Sequence, residues 1–241
     1  MEALRLVLYQ ETANYKKPTA TKVGETYPLP PLSTVKGMLH ALMGATEFVP
    51  MHIGIQGTYD SRIVDYQRHY FFKKKDMPEF PLVIDGLGFD HWEYRKDTIT
   101  TMPLYMHLLY NVHLVIHVYA SEDILTRMEE GFKNGVPISL GRWEDLVRID
   151  EWKRVRLDRL TETIDLINDM YLPATLDDDE KVNTAIPYRM NWKYTIRQNV
   201  RQWEKIDVSF LRKNSSVYSE SLWIDNDGVK TPVALFPRVG E

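Results

Sequence analysis

The 241-residue chain contains no cysteine. That absence excludes disulfides, thiolate nucleophiles and cysteine-ligated metal sites, and it fits a reducing, cytoplasmic setting. Long apolar runs are missing as well. No stretch approaches the ~18 residues that span a bilayer, so no membrane contact is expected. The start, MEALRLVLYQ, lacks a basic segment followed by an apolar run, so no signal peptide is expected. P-loop, GxGxxG, HExxH and GxSxG motifs are all absent, which removes the usual settings of nucleotide, zinc and serine-nucleophile chemistry. No cofactor and no metal are expected.

What is present is ordinary globular composition, 44% hydrophobic and 27% charged. The length permits one large domain or two small ones. A net charge of −4 argues against a protein that coats nucleic acid with its whole surface. The distribution is more informative than the sum. Lys16, Lys17 and Lys22 have no acid between them, Lys73, Lys74 and Lys75 follow Arg68 and His69, and residues 189–213 carry seven basic residues against two acids, Glu204 and Asp207. Acids gather at residues 122–130 and 177–180. Such segregation puts basic faces on an acidic body, although solvated surface charge accounts for any single cluster.

The segment YPLPPLSTVKGMLHALMG, residues 27–44, organises the rest. Its prolines fix φ and remove donors, so the approach forms neither helix nor central strand. Ser33 or Thr34 then offers a side-chain oxygen to cap a helix. Val35, Met38, Leu39, Leu42 and Met43 share one face at a spacing near 3.6, leaving Lys36, Gly37, His40 and Gly44 on the other. Hydroxyls, free backbone donors, a lysine and a glycine at a helix start suit an anion. A plain capped helix after a proline-rich loop explains the same residues.

Around this segment, alternation of Leu4, Leu6 and Leu8 predicts a first strand over residues 3–10. A long loop fills 11–32, and loops of that length are usually functional or mobile. A strand follows at 51–57 with Ile53 and Ile55 inward. Residues 62–72 are extended and rich in aromatics, opening a protruding hairpin. Basic and aromatic residues interleaved on such an arm suit single-stranded nucleic acid, while a hairpin packed on its own aromatics is the plain alternative. Residues 105–119 form the strongest strand, on which His113 and His117 stand about 13 Å apart, too far for one metal ion. A helix over 121–134 capped by Ser121, a tight turn at Gly141 and a strand over 146–157 complete a ferredoxin-like order. Beyond residue 161 the pattern predicts a short helix at 166–171, strands at 186–200 and 207–212, and a hairpin at 221–236 turning at Asp225-Asn226-Asp227-Gly228.

No complete active site emerges. Asp177, Asp178 and Asp179 lack spaced partner carboxylates for Mg²⁺ and read as a solvated loop. His40 is the one histidine near the helix start, where it would serve as a general base for RNA cleavage or simply pack on the helix.

A long basic loop, PPLSTVKGML opening a helix, and SLGRWEDLVRI before a later strand together resemble the CRISPR-associated Cas-five family, RAMP-type subunits of type I Cascade complexes. The chain looks closest to the type I-B branch. The resemblance covers the first ~160 residues. It implies an α+β, ferredoxin-like (RRM-like) RAMP domain over residues 1–160, with a β-hairpin thumb inserted at about 60–104, while the strand and turn pattern beyond residue 161 predicts a β-rich C-terminal subdomain over 161–241. It further implies a non-catalytic subunit that caps the 5′ handle of the CRISPR RNA. Its partners would be a Cas-seven-family backbone subunit, the large subunit and, through the assembled complex, target DNA. Carried over to this sequence, Lys22, Ser33, Thr34, Lys36 and Gly37 match the handle-facing loop and helix start, Arg142 matches the L-G-R turn, and Arg62 and Arg68 lie in the thumb. Lys16 and Lys17 belong to the basic loop. One branch of the family cuts precursor RNA without metal, which makes an endoribonuclease the alternative.

Overall fold

A computed structural model describes residues 1–20, 23–72, 99–174 and 185–239. In chain order the first elements are β1 (Glu2–Ala13), β2 (Val23–Gly24), α1 (Leu32–Leu42), β3 (His52–Thr58), β4 (Ser61–Phe72) and β5 (Ile99–Tyr119). They are followed by α2 (Glu122–Lys133), β6 (Arg148–Arg159), β7 (Ile164–Asp165), β8 (Asp169–Pro173), β9 (Ile186–Arg197) and β10 (Val200–Leu211). β11 (Ser216–Val217), β12 (Trp223–Asp225) and β13 (Thr231–Val233) complete the chain. The architecture is mixed, with few helices and a mostly antiparallel sheet.

Four strands form the centre in the order β6, β1, β5, β3, each antiparallel to its neighbour. α1 links β1 to β3, and α2 links β5 to β6. The period-2 pattern puts Leu4, Leu6 and Leu8 of β1 beside Val118, Ile116 and Leu114 of β5, all buried. The helices cover this face with Val35, Leu39, Leu42, Leu125 and Met128. Gly131 sets how closely the helices meet, because a Cβ there would lie 2.8 Å from the Leu42 carbonyl oxygen.

β5 is 21 residues long and serves two structures. Its C-terminal half lies in the sheet centre between β1 and β3. Its N-terminal half pairs with β4 from Ser61–Tyr110 outward, while β2 pairs parallel with it at Tyr105 and Met106. The expected thumb tip, including Lys73, Lys74 and Lys75, lies outside the described residues, as do Lys22 and the Asp177–Asp179 run.

Apart from β7 and β11, which pair with each other in a separate two-stranded sheet, the strands after residue 161 extend the same sheet at both sides. β8 pairs with β3 and β10, β10 in turn pairs with β9, and β12 and β13 continue from β6. The β12–β13 ribbon curls over the face away from the helices, so that Ile53 and Phe236 exchange backbone hydrogen bonds of 2.8 and 3.0 Å. Gly54 makes room for it: a Cβ there would lie 2.9 Å from the Ala234 carbonyl oxygen.

Several local expectations are corrected. Ser33 and Thr34 do not cap α1. The N-cap is Pro31, with no side-chain cap bond, because burying Leu32 completely draws the helix start ahead of the hydroxyls. Lys36 is buried rather than on an outer face. Residues 166–171 are not helical. They run into β8, whose Met170, Tyr171 and Leu172 pair with Leu211, Phe210 and Ser209 of β10, so sheet pairing overrides a weak local helical pattern. The strand expected at 146–157 begins at Arg148, leaving Leu146 exposed. The strand expected at 186–200 ends at Arg197, because Gln198 and Asn199 both take positive φ and turn the chain into β10.

Candidate nucleic-acid interface

The L-G-R turn is built around one buried carboxylate. Gly141 takes φ +112°, a left-handed conformation that only glycine adopts freely, and the turn then closes on Asp145. Asp145 Oδ2 accepts from the backbone N–H groups of Asn14 (3.0 Å) and Arg142 (2.9 Å). The Arg142 guanidinium forks onto the same carboxylate, Nη2 to Oδ1 at 2.7 Å, and its Nη1 meets Glu144 at 2.8 Å. Gln10 Nε2 donates to the carbonyls of Leu140 and Asp145, and Tyr15 donates its hydroxyl to Gln10. Burial pushes the Tyr15 hydroxyl well above its ordinary value, so it remains a donor. The network locks the turn to the point where β1 gives way to the long loop. Arg142 is a pin of that turn, with most of its donors already engaged.

Asn14 ties this turn to the root of the β4–β5 ribbon. Its Nδ2 donates to the carbonyls of Gly24 in β2 and His107 in β5, at 2.9 and 2.7 Å. Asn14 Oδ1 and His107 Nδ1 are buried without a partner among the described residues. Asp65 of β4 is close enough to the Arg142 guanidinium to favour its charge. The L-G-R turn, the basic loop and the root of the β4–β5 ribbon are therefore one assembly.

Within the loop, Lys16 is exposed and its backbone bridges Thr26. Lys17 pairs with Glu25 at 3.2 Å and lies 6.0 Å from the centre of the Tyr27 ring. Tyr27 in turn meets Tyr188 of β9 edge-on at 5.3 Å. Tyr171 donates to the Leu29 carbonyl and fixes the approach to α1. At the helix start Ser33 and Thr34 are half-buried, Gly37 is exposed with nothing within 4 Å of an added Cβ, and the first turn carries no acid. Thr34 and Val35 N–H both bond to Pro31, so Leu32 and Ser33 hold the free donors of that turn.

Lys36 points instead into β9. Its ammonium donates to the Trp192 carbonyl and sits 4.3 Å from the Trp192 ring and 5.0 Å from the Phe48 ring. Burial lowers its pKa to about 8. His40 Nε2 accepts from the Val49 N–H at 3.4 Å, and burial lowers its pKa too. That nitrogen is turned toward backbone rather than toward solvent.

On the β4–β5 ribbon, Val64, Tyr66, Arg68 and Tyr70 alternate along one face of β4, and all are exposed. Tyr105 of β5 stands opposite Tyr66, the rings meeting edge-on at 5.6 Å. Tyr66 and Tyr70 hydrogen-bond Arg68 and raise its pKa. Arg62 is exposed nearer the root. Guanidinium between aromatic rings on an extended ribbon is a surface on which bases stack and phosphates pair.

The family model described as "CRISPR-associated protein (Cas_Cas5)" matches residues 3–202. The chain belongs to that family. No curated protein sequence matches it. Among solved structures, a chain of a "CRISPR RNA-guided surveillance complex" is similar with a TM-score of 0.51 and 15% identity, over 89% of this chain and 91% of that one. A CRISPR protein from Archaeoglobus fulgidus reaches 0.43 at 10% identity, over 97% and 98%. A chain of a Type III-B Cmr-beta complex bound to cognate target RNA and AMPPnP reaches 0.42 at 11%, over 88% and 85%. At these identities the likeness is one of fold.

The structure thus joins the loop that carries Lys16 and Lys17 to the Arg142 turn and the β4–β5 ribbon through Asn14, with Arg62 and Arg68 on that ribbon, and sets Lys36 apart against β9. Sequence reading missed Asn14, Gln10 and Asp145, whose importance comes from contacts across 130 or more residues. It also missed Trp143, which is 86% exposed on the L-G-R turn. A large aromatic between an arginine and a glutamate was the available signal.

Proposed function

We propose that this chain is the CRISPR RNA-binding subunit of a type I Cascade surveillance complex, nearest to type I-B, and that it holds the 5′ handle of the guide. The observation that carries this is the Asn14-centred assembly, which fixes the L-G-R turn, the basic loop and the thumb root in one place. Membership of the CRISPR-associated family supports it. So does the order of the four central strands, β6-β1-β5-β3 with a helix after β1 and after β5, which reads as a ferredoxin-like (RRM-like) RAMP domain carrying a thumb.

In this reading the handle runs across the loop lysines and the start of α1, where Ser33, the exposed Gly37 and free N–H groups meet phosphate. The thumb lies along the guide toward the backbone subunit, and another face meets the large subunit, through which target DNA is reached. The role is binding. His40, the one histidine beside the helix start, accepts a backbone N–H, which is poor placement for a base that must take a 2′-OH proton.

The test is binding of the full chain to RNA with and without the 5′ handle across a salt series. Handle RNA should bind more tightly, with a slope near −0.7 per phosphate contacted. Equal affinity for both RNAs would end this reading. The endoribonuclease alternative predicts metal-free cleavage of repeat RNA that His40→Ala abolishes.

A further inference from the structure

The hairpin of β9 and β10 belongs to the sheet only at its root. β10 pairs with β8 through Val208–Leu211, and Met190 and Trp192 are buried against the core. Trp192 is clamped by Lys36 from α1. Beyond Trp192, residues 193–204 are paired only with each other. Gln198 and Asn199, at φ 50° and 60°, close them with a two-residue turn of the kind that matches strand twist and keeps a ribbon stiff.

One face of this projecting ribbon is aromatic and cationic. Tyr194 and Trp203 are directly opposed, their rings 5.0 Å apart at 62°, and both are exposed. Ile196 and Arg201 form the next pair outward, and the Arg201 guanidinium lies over the Tyr194 ring at 4.6 Å. The charge is one-sided. Lys193, Arg197, Arg201 and Lys205 stand against Glu204 alone on a chain whose net charge is −4. Glu204 is taken up by Lys193, its cross-strand partner on the opposite face, at 3.1 Å. Arg197 and Lys205 have no ion-pair partner among the described residues.

We propose that residues 193–205 form a platform for single-stranded nucleic acid, additional to the thumb and the helix start. Bases would stack on Trp203 and Tyr194, and phosphates would meet Arg197, Arg201 and Lys205. Exposed ring faces require unstacked bases, which a duplex does not offer. The excess of positive charge selects an anionic partner. The proposal uses none of the residues assigned to the handle.

The test uses the full chain with handle-free 20-mers of uridylate and thymidylate, read by anisotropy and by quenching of tryptophan fluorescence. Wild type should bind at least one of them, and the stronger of the two names the source of the strand. The Tyr194→Ala/Trp203→Ala variant should lose about tenfold or more in affinity. Arg197→Ala/Arg201→Ala should flatten the salt slope by roughly 1.4. Both variants change exposed side chains, and circular dichroism checks that they remain folded. They should keep the ratio of handle to handle-free binding seen in wild type. A ratio of one in wild type would count against the handle reading alone. Handle-free binding that is absent, or unchanged in both variants, overturns the platform. So does loss of a protein subunit from the assembled complex with nucleic-acid binding intact.

Discussion

The Lys36 ammonium donates to the carbonyl of Trp192 and lies 4.3 Å from the centre of that residue's own ring. One cation therefore holds both the backbone and the side chain at the root of the β9–β10 hairpin. A ring and a carbonyl together let a lysine tolerate burial that would otherwise drive off its charge.

Replacing it has two separable consequences. Lys36→Ala should cost about 1–3 kcal/mol, because the carbonyl loses its donor and the ring its cation, measured by urea denaturation. Its effect on RNA should follow stability and hairpin placement rather than phosphate contact. The pH dependence has a definite sign. Burial lowers the folded-state pKa to about 8 from 10.5, so between these values the unfolded chain binds more protons and stability rises with pH. Wild type should gain on Lys36→Met from pH 8 to 10, and a flat difference would mean that the ring contacts outweigh desolvation.

Asp145 is the residue on which the L-G-R turn depends. Asp145→Ala removes the acceptor of two backbone N–H groups and the counter-charge of Arg142. Its expected cost is about 2–4 kcal/mol, with loss of handle preference, measured by thermal melting and RNA titration. Arg142→Lys should resemble it more weakly, since an ammonium cannot fork onto the carboxylate. Full stability in Asp145→Ala would show that the turn is held from elsewhere.

The thumb face predicts the opposite pattern. Tyr66→Ala and Arg68→Ala alter exposed side chains and should leave the melting temperature within about a degree or two. Guide affinity should fall about fivefold or more for the tyrosine, and the salt slope should shrink by about 0.7 for the arginine. Melting that shifts strongly with unchanged binding would make this face part of the fold instead.

His117 gives a pH signature at the other end of the scale. It is completely buried, with Nε2 3.0 Å from Asp225, which also pairs with Arg5 at 2.9 Å. Burial lowers the His117 pKa despite the carboxylate. As pH falls below about 6.5 the unfolded chain takes up a proton that the folded chain resists, so stability drops. The Asp225 pKa is lowered by bonds from His117, Asp227 N–H and Arg5, which outweigh its burial, so its contribution is lost only at lower pH, as the carboxylate itself protonates. Denaturation at pH 7.5 and 5.5 should show this loss in wild type and less of it in His117→Gln.

How much of this was legible in the sequence depends on the range of the interaction involved. The alternation of Leu4, Leu6 and Leu8, the 3.6-residue spacing of Val35, Leu39 and Leu42, and the Asp225–Gly228 turn each specify local structure within a few residues. Gly141 and the arginine beside it likewise marked a turn. These elements appear close to where the sequence puts them. The ends of elements are set by burial. Leu32 starts α1 one residue ahead of the hydroxyls expected to cap it, and pairing with β10 makes a strand of residues that look weakly helical.

The site followed the same division. Sequence alone determined that the chain has basic loops, an aromatic arm, no cysteine and no motif for phosphate or metal chemistry. It also carried the two short motifs that resemble the family. Only the tertiary structure decided that Lys36 is buried against Trp192, that Arg142 is bound to Asp145, and that Asn14 joins three segments. Whether a charged side chain is free or engaged depends on partners such as Trp192, 156 residues from Lys36, and no local pattern encodes a contact at that distance.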